Sequence, residues 1–523
     1  MMLEIKNALI SVSNKNGIIE LARFLEEKGI SILATSGTYR YLTENGIKNI
    51  LSISDYTETE ELIDGRVKTL HPNIFAGILA NKNNEGHMME LKEKNILPID
   101  LVVCNLYPFK EGLIKNLSHE EMVELIDIGG VSLLRAAAKN YSSCLVLIDE
   151  EDYKDFINEF NLNDGKIPLN LRIEKAIKVF YITSEYDSYV SNYLASMSGI
   201  SKKLEKFPDI LSINLKKMKD LRYGENPHQR GSLYEWKEEE VSLVNSIQLN
   251  GKEMSYNNYL DADTALNIVL EFEKPCCAIV KHSTPCGVGC GDHVSEAFNK
   301  AYITDPVSAF GGIVAFNRTL DLLTANDISS LYLEVIIAPD FEEEALNLLR
   351  TKKNLRLLKI DLSNFKNRPY ITIQKIRGGL LVQEGNWEPE DTNKWEIKSD
   401  REPTEIEMES AIFAWKVVKW VKSNGIVIAS KDVTFGIGSG QPSRVGSAEI
   451  AISKAHNQGK YTGGCALASD GFIPFRDTVE IAAEAGITTI IEPGGSVRDN
   501  EIIEACNEKD IALIFTNRRN FRH

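Results

Sequence analysis

The chain has 523 residues, more than one hydrophobic core usually serves, so we expect two or three domains. Its composition, 43% hydrophobic and 26% charged, is that of a folded globular protein. A net charge of −16 argues against a general nucleic-acid-binding or anionic-membrane surface, and we expect neither a signal peptide nor a membrane span. A cytoplasmic enzyme is therefore the starting expectation.

Residues 7–149 alternate apolar runs of strand length with amphipathic helical segments, which predicts a parallel sheet covered by helices. Residues 17–28 predict one such helix, with its apolar side chains on one side. Ligands of these sheets bind beyond the carboxyl ends of the strands, so polar residues at those ends are the candidates for a site. The predicted strands are residues 8–12, 30–34, 47–53, 101–105 and 144–148.

Two of these strand ends carry groups that suit a phosphate. The first strand is followed by Ser13, Asn14 and Lys15, and the second by residues 35–38, TSGT, at the start of a helix. Hydroxyl groups and amides at a helix start bind phosphate oxygens, although ordinary N-capping by Ser or Thr is the alternative. With Lys15 in the neighbouring loop, we favour phosphate binding.

Further polar groups follow along the chain. Residues 65–72 read GRVKTLHP, and Arg66 and Lys68 alternate along an expected extended segment. Such cations suit an anion or a reacting carbonyl, while a solvated basic turn is the alternative. Asn105 and Tyr107 come at the end of the fourth strand, which places them at the ligand edge.

The strings SVSNK, TSGT, GRVKTLHP, CNLYPF and IDIGGVSLLRAAAKN, in this order, resemble the cyclohydrolase domain of the bifunctional purine biosynthesis enzymes, which has a methylglyoxal-synthase-like fold. The resemblance implies closure of a formamido-imidazole-carboxamide ribonucleotide (FAICAR) to inosine monophosphate (IMP), with no metal or organic cofactor. It implies Lys139 in proton transfer, with Lys68, Tyr107 and Asp127 around the reacting atoms. The nucleotide-binding residues it implies are Ser13, Asn14, Lys15, Thr35, Ser36, Gly37, Thr38, Arg66, Thr69, Cys104 and Asn105.

The predicted helix at residues 131–139 constrains this assignment. A straight helix of that length spans roughly 12 Å. Asp127 and Lys139 can then share one nucleotide only if the lysine reaches back along the helix or another subunit contributes, and the sequence leaves both possibilities open.

Residues 151–220 show no strand pattern. Residues 171–198 predict a long amphipathic helix with Ala176, Ile177 and Phe180 among its apolar positions. Residues 198–207, SGISKKLEKF, predict a linker, with an anion site as the less favoured alternative. The predicted domains are residues 1–150 (cyclohydrolase), 151–207 (helical connector) and 208–523 (transformylase).

Residues 276–291, CCAIVKHSTPCGVGCG, are the centre of the second half. A short apolar strand delivers Lys281 and His282 at its end, and we expect a Gly-rich loop after them. A cation beside an imidazole at the end of this strand indicates a catalytic role. The alternative is a core strand that ends in solvated polar residues. Cys286 and Cys290 are similar to zinc-deaminase ligands, but they stand one residue too far apart and no H-x-E motif accompanies them.

The second half also shows weak signs of duplication. A strand, a Gly-rich turn and a helix occur near residues 276–301 and again near 426–457. A strand with an acid-rich helix recurs at 335–350 and 488–506. The eight cysteines lie mostly in apolar runs, so we expect buried reduced thiols rather than disulfides.

The ordered strings RYGENPHQ, KHSTPCG, DPVSAFGG, SN, GIGSGQPSR, SDGFIPFRD and RNFRH resemble the transformylase domain of the same family, a cytidine-deaminase-like fold used without metal. The resemblance implies formyl transfer from 10-formyltetrahydrofolate, as cosubstrate, to aminoimidazole carboxamide ribonucleotide (AICAR). It implies His282 as base and Lys281 as the group that stabilises the oxyanion. The implied nucleotide contacts are Arg222, Tyr223, Gly311, Glu334, Asn424, Phe472, Asp477 and Arg519, and the implied folate contacts are Arg444, Val445, Ser496 and Val497.

The whole chain is thus expected to be an α/β protein with a methylglyoxal-synthase-like parallel-sheet domain and a duplicated, cytidine-deaminase-like transformylase domain. The resemblance also implies a homodimer with shared transformylase sites. Thr284 and the pair Asn517-Arg518 depart from the family pattern, which bears on binding details rather than on catalytic groups. A zinc-dependent deaminase and a non-enzymatic nucleotide sensor remain as alternatives.

Overall fold

A computed structural model describes residues 2–59, 63, 66–67, 69–197, 207, 209–236, 242–363 and 370–523. The chain divides into two compact units, Met1–Asn214 and Leu215–His523. Within the described ranges, no helix has the length and apolar character that crossing a membrane requires.

The first unit is built on a five-stranded parallel sheet in the order β4-β3-β2-β5-β6. Its strands are mostly apolar because helices bury both faces of the sheet. The five predicted strands and the first predicted helix are confirmed. The strands are β1 (Leu3–Glu4), β2 (Asn7–Ser11), β3 (Ser31–Ala34), β4 (Ile50–Ser52), β5 (Leu101–Cys104), β6 (Leu145–Leu147) and β7 (Lys166–Ile167). The helices are α1 (Ile18–Glu27), α2 (Ser36–Glu44), α3 (Ile53–Thr57), α4 (Pro72–Leu79), α5 (Glu85–Glu93), α6 (Phe109–Ile114), α7 (His119–Glu124), α8 (Gly129–Lys139), α9 (Glu150–Leu162) and α10 (Leu169–Met197).

Two expectations for the segment after this sheet were wrong. Residues 151–220 do contain strands, since β7 pairs with β1 and β8 begins at Lys216; both are too short or too polar to give a hydrophobic pattern. The long predicted helix is present as α10, but Ile177 and Phe180, expected on its apolar side, are exposed. The predicted boundary at 207/208 and nearly all of the predicted linker lie outside the described residues.

The second unit is built on a twelve-stranded mixed sheet in the order β10-β15-β14-β13-β11-β12-β20-β19-β21-β22-β23-β18. Its strands, together with two separate hairpins, are β8 (Lys216–Leu221), β9 (Gly231–Glu235), β10 (Ile247–Asn250), β11 (Cys276–Lys281), β12 (Thr284–Cys290), β13 (Ile313–Phe316), β14 (Val335–Ala338), β15 (Arg356–Lys359), β16 (Ile371–Ile376), β17 (Gly379–Glu384), β18 (Glu396–Ile397), β19 (Ile426–Ser430), β20 (Val433–Gly438), β21 (Ala466–Ser469), β22 (Thr489–Glu492) and β23 (Ala512–Phe515). The helices are α11 (Tyr256–Leu270), α12 (Val294–Tyr302), α13 (Pro306–Ala309), α14 (Leu322–Ser329), α15 (Glu343–Arg350), α16 (Glu405–Val418), α17 (Arg444–Asn457), α18 (Asp477–Glu484) and α19 (Asp499–Glu508).

The predicted duplication is confirmed by this topology. The hairpin β11-β12 followed by α12 corresponds to the hairpin β19-β20 followed by α17, and the two hairpins meet where β12 pairs with β20. In both halves the helix lies directly on glycines of its hairpin. A Cβ at Gly287 would lie 2.0 Å from the Ala301 carbonyl oxygen, and one at Gly436 would lie 1.9 Å from that of Ala451.

The loop expected after Lys281 and His282 is instead the strand β12, so that expectation was wrong. Its glycines are poor strand formers in general, but they are required here because α12 packs against their Cα atoms. Lys281 and His282 consequently lie at the tip of a hairpin rather than at the mouth of a loop.

Candidate functional site

In the first unit, Asn105 joins the loops that follow β2 and β5. Its side-chain oxygen accepts the backbone N–H groups of Ser13, at 2.6 Å, and Asn14, at 3.0 Å. Its amide nitrogen donates to the Asn14 carbonyl at 2.9 Å. The two loops are therefore held together at the carboxyl edge of the sheet, where the sequence predicted ligand contacts.

Lys15 and two threonines form the neighbouring part of this edge. The Lys15 ammonium group donates to the Val12 carbonyl and, at 2.8 Å, to the Thr38 hydroxyl. Thr35 and Thr38 are buried, and their hydroxyl oxygens lie 3.3 Å apart. Thr35 makes no side-chain cap at the start of α2. Its hydroxyl therefore anchors the loop, which leaves the backbone amides of this helix start as the feature suited to a phosphate.

Asp127 caps the start of α8 by accepting the Gly130 N–H at 2.6 Å. A Cβ at Gly130 would lie 2.3 Å from an Asp127 carboxylate oxygen, and one at Gly129 would lie 2.7 Å from the Thr69 hydroxyl. The two glycines therefore allow Thr69 and Asp127 to approach this helix start closely. Tyr186 of α10 accepts the Asp127 N–H at 2.8 Å and so connects α10 to the same place.

Three other predicted residues of this unit, Cys104, Arg66 and Tyr107, make fewer contacts with the loops described above. The Cys104 side chain is fully buried, and its thiol donates to the Gly130 carbonyl at 3.8 Å; burial raises the pKa of this thiol. Arg66 lies in a turn, contrary to the extended segment expected, and pairs with Glu124. Tyr107 is half-buried two residues beyond Asn105. Lys68 lies outside the described residues.

Lys139 lies at the opposite end of α8 from Asp127. The helix has 11 residues and is therefore about 15 Å long. The next residue, Asn140, donates to the carbonyls of Ile78 and Ala80, and the chain re-enters the sheet at its other edge, where Leu145 donates to the Asp100 carbonyl. Within one chain, α8 thus separates Lys139 from the other predicted cyclohydrolase residues.

In the second unit, one edge of the large sheet collects most of the predicted transformylase residues. The strands β11, β20, β21, β22 and β23 end at this edge, and β12, β13, β14 and β19 begin there. The sequence predicted only local strand ends, whereas the strand order brings distant segments together. The predicted residues at or next to this edge are Lys281, His282, Gly311, Glu334, Asn424, Arg444, Val445, Phe472, Asp477, Ser496, Val497 and Arg519.

The hairpin tip holds Lys281 and His282 in a constrained turn. His282 and Ser283 both have a φ of 55°, a left-handed conformation that is uncommon outside glycine. The carboxylate of Asp261, on α11, accepts the N–H of His282 at 3.0 Å and that of Ser283 at 2.6 Å. The Lys281 ammonium group donates to the Phe310 carbonyl at 2.7 Å. Asp261 was missed from the sequence because 21 residues separate it from the turn.

Gly311 and Glu334 lie beside this tip. Gly311 has a φ of 72° and donates its N–H to the Tyr332 carbonyl at 2.8 Å. The Glu334 carboxylate accepts the Asn258 amide at 2.8 Å and lies 3.6 Å from the Arg356 guanidinium. These contacts fix the carboxylate at the edge next to Lys281.

A second group surrounds Asn424, just before β19. Arg444 is buried and donates to the side-chain oxygen of Asn424 at 2.8 Å and to the Ser469 hydroxyl at 2.8 Å. It also pairs with Asp470, which is fully buried. Arg444, predicted as a folate contact, is therefore engaged by protein groups. Asp470 was not predicted.

Phe472 and Arg519 pack together in the same group, with the guanidinium 5.1 Å from the ring centroid. Asp477 begins α18 and accepts the Thr478 N–H at 2.7 Å. Asp499 accepts the Ser496 N–H at 2.8 Å, which orders the loop after β22, and Val497 is fully exposed on that loop.

The two groups are separated along the edge. Lys281 belongs to β11 and Asn424 precedes β19, which lies three strand spacings away, or about 14 Å. Arg222 and Tyr223 lie elsewhere, stacked on each other after β8 at 4.7 Å. Asn257 of α11 donates to the Glu225 carbonyl at 3.2 Å and connects the turn that follows this pair with α11.

The cysteines that invited the zinc alternative are side chains of the core. Cys286 and Cys290 lie on opposite faces of the sheet, in different hydrophobic clusters, and both are buried. Burial raises the pKa of Cys286 to about 12. Among the residues that the structure describes, no three metal-ligating side chains converge.

Comparison with known proteins finds family models that match parts of both units and relatives that match nearly the whole chain. The family model described as AICARFT/IMPCHase bienzyme matches residues 137–454, and that of the MGS-like domain matches residues 17–132. The bifunctional purine biosynthesis protein PurH of Caldicellulosiruptor saccharolyticus is 49% identical over 99% of this chain and 100% of its own. The PurH proteins of Clostridium perfringens and Clostridium botulinum are 48% and 47% identical over the same shares. A solved structure titled "Crystal structure of ForH" is 34% identical, with a TM-score of 0.32, over 36% of this chain and 97% of that one.

Proposed function

Since the chain belongs to the AICARFT/IMPCHase bienzyme family and is a bifunctional enzyme of purine biosynthesis, we propose that its two units perform consecutive steps on one nucleotide. The activities are AICAR formyltransferase and IMP cyclohydrolase. The second unit forms FAICAR from AICAR, and the first unit closes FAICAR to IMP. Closure removes the intermediate and so draws the formyl transfer forward.

The formyl donor is 10-formyltetrahydrofolate, used as a cosubstrate. The AICAR amine is conjugated with a ring that carries a carboxamide, so it is a poor nucleophile and must lose a proton as it attacks. His282 accepts that proton while the C–N bond forms, and Lys281 stabilises the oxyanion that develops on the formyl oxygen. The C–N bond to the folate N10 then breaks, and the proton is returned to that nitrogen. The hairpin tip held by Asp261 is the observation that carries this proposal.

The separation of the two groups on the sheet edge supports shared transformylase sites. Residues about 14 Å apart do not meet around one reacting carbon. A homodimer in which one protomer supplies the group around Lys281 and its partner the group around Asn424 would unite them. Nucleotide contacts are then Arg222, Tyr223, Gly311, Glu334, Asn424, Phe472, Asp477 and Arg519, with Arg444, Val445, Ser496 and Val497 toward the folate.

For ring closure, the FAICAR carboxamide nitrogen attacks the formyl carbon, loses a proton, and water leaves. Lys139 moves the proton, with Lys68, Tyr107 and Asp127 around the reacting atoms. The start of α2, with Ser36 and Gly37, binds the phosphate, and the space beside Gly37 is open. Because α8 separates Lys139 from Asp127 by about 15 Å, we propose that this lysine serves a site completed by another subunit.

The experiment that tests this function supplies purified protein with AICAR and 10-formyltetrahydrofolate at neutral pH, as expected for a cytoplasmic enzyme. We expect IMP to form, and to form also from supplied FAICAR without folate. Well-folded protein that yields no IMP in either reaction would refute the proposal.

A further inference from the structure

We propose that Asp470 is a positioning residue for formyl transfer, acting through Arg444 to fix the side-chain amide of Asn424. The inference rests on the proposed function of the second unit. None of the sequence motifs assigned Asp470 a role, and its carboxylate is engaged by Arg444 and Ser423.

Asp470 connects three segments of the candidate site. Its carboxylate pairs with the Arg444 guanidinium at the start of α17 and accepts the Ser423 hydroxyl, next to Asn424. Its backbone N–H donates to the Gly425 carbonyl at 3.2 Å, and its carbonyl accepts the Asn520 N–H at 2.9 Å, next to Arg519. The residue is fully buried, so water does not compete for these contacts.

Arg444 determines which way the Asn424 amide points. A guanidinium group only donates, so the atom 2.8 Å from it must be the amide oxygen of Asn424. The amide nitrogen of Asn424 donates to the carbonyls of Gln441, at 2.9 Å, and Pro442, at 3.2 Å. The hydrogen-bonding capacity left to a ligand is therefore the second lone pair of the oxygen. Asn424 is thus set to accept an N–H of the nucleotide rather than to donate.

The internal duplication offers a comparison within the same molecule. Asn317 follows β13 as Asp470 follows β21. The Asn317 N–H donates to the carbonyl of Cys276, the first residue of β11, and the Asp470 N–H donates to the carbonyl of Gly425, just before β19. Asn317 holds the loop before β11 with an uncharged amide, which donates to the Phe272 and Lys274 carbonyls at 2.8 Å. Closing such a loop therefore does not require a carboxylate.

The first residues of the corresponding helices also differ between the two halves, one being apolar and the other charged. Val294 is the first residue of α12, and Arg444 is the first residue of α17. One half thus carries a valine and an asparagine where the other carries an arginine and an aspartate. A buried ion pair is rarely more stabilising than apolar packing, so its presence in one half alone indicates a role in positioning.

The test compares purified Asp470→Asn with wild type for AICAR binding by calorimetry and for both reactions. Asparagine has nearly the same shape but no charge to hold Arg444. We expect kcat/KM for formyl transfer to fall roughly tenfold to a hundredfold, as for loss of a charge-assisted hydrogen bond, with AICAR binding weakened and FAICAR closure unchanged. Asn317→Ala is the matched control, and we expect it to lower the thermal midpoint without changing AICAR affinity.

A double-mutant cycle separates positioning from a general structural role. If Asp470 acts through Asn424, adding Asp470→Asn to Asn424→Ala should cost little beyond Asn424→Ala alone. Arg444→Lys keeps the positive charge beside Asp470 but loses the second nitrogen, and it should weaken AICAR binding in the absence of folate even if Asp470→Asn folds poorly. Additive effects, transfer within twofold of wild type in a folded Asp470→Asn variant, or unchanged AICAR binding by a folded Arg444→Lys variant, would overturn the inference. A wild-type protein that neither binds nor formylates AICAR would instead refute the proposed function, and the inference with it.

Discussion

Removal of the Asp261 carboxylate tests whether the hairpin tip is held for catalysis. This carboxylate accepts two consecutive N–H groups, of His282 and Ser283, and both of these residues are left-handed without being glycine. Asp261→Ala removes both hydrogen bonds. Asp261→Asn keeps one acceptor atom and places a donor group against the other N–H, so the two variants form a graded series.

The magnitude follows from the contacts. A hydrogen bond to a charged group contributes about 1.5 to 3 kcal/mol, and the exposed position of His282 favours the lower figure because water replaces part of it. Each left-handed residue costs about 1 kcal/mol, which the two bonds offset. Without them, we expect the tip to relax and transition-state stabilisation to fall by about 2 kcal/mol, or roughly thirtyfold in kcat.

The assay measures formyl transfer and FAICAR closure on the same purified protein. We expect transfer to decrease in the order wild type, Asp261→Asn, Asp261→Ala, while closure stays constant. Asp321→Asn is the matched control, because Asp321 also accepts a backbone N–H, that of Thr324 at 2.7 Å, but at the start of α14. Transfer by Asp261→Ala within threefold of wild type, or a parallel loss of closure, would refute the reasoning.

Three further predictions concern the separation of the sites and the dependence of stability on pH. His282→Ala should abolish formyl transfer and leave closure of supplied FAICAR intact, while Lys139→Ala should do the reverse. Parallel assays of the two reactions check this, and loss of both activities in either folded variant would contradict the existence of two separate sites. Burial raises the pKa of Glu492 to about 8, so the folded protein retains a proton that the unfolded chain releases above its usual value of 4.5. Stability should therefore fall as pH rises from about 4.5 to 8, and Glu492→Gln should remove that fall in denaturant titrations; an unchanged slope would contradict it. Burial opposes ionisation of Glu407, but hydrogen bonds from Arg401 and Thr404 together outweigh it and lower the pKa to about 2, so its contribution should be lost as pH falls from about 4.5 to 2. Glu407→Gln should flatten acid unfolding in that window, measured by circular dichroism, and a steeper transition would count against the assignment.

The strands of the five-stranded sheet, and β11, β14, β19 and β22 of the second unit, could be predicted from the sequence because buried strands are continuous apolar runs. The strand β12 could not, since TPCGVGC reads as a turn until α12 is known to press on Gly287. Apolar periodicity likewise predicted α10 but not which of its residues would be exposed, because that depends on where the other helices pack.

The candidate site could be predicted only in part for a related reason. Lys281 and His282 could be predicted because they stand at the end of an apolar strand. Asp261 and Asp470 act through partners 21 to 47 residues away, and nothing in their local sequence identifies those partners. One usable signal was a carboxylate directly after the buried strand β21, a place where an unpaired charge would be costly.

A time course on the full chain tests the central claim, two consecutive reactions on one nucleotide, most directly. Protein is mixed with AICAR and 10-formyltetrahydrofolate, and AICAR, FAICAR and IMP are separated by chromatography at successive times. We predict that AICAR declines, FAICAR appears transiently and IMP accumulates after a lag, with Lys139→Ala stopping at FAICAR. IMP formed by His282→Ala at the wild-type rate, or AICAR left unchanged by folded wild-type protein, would contradict the account.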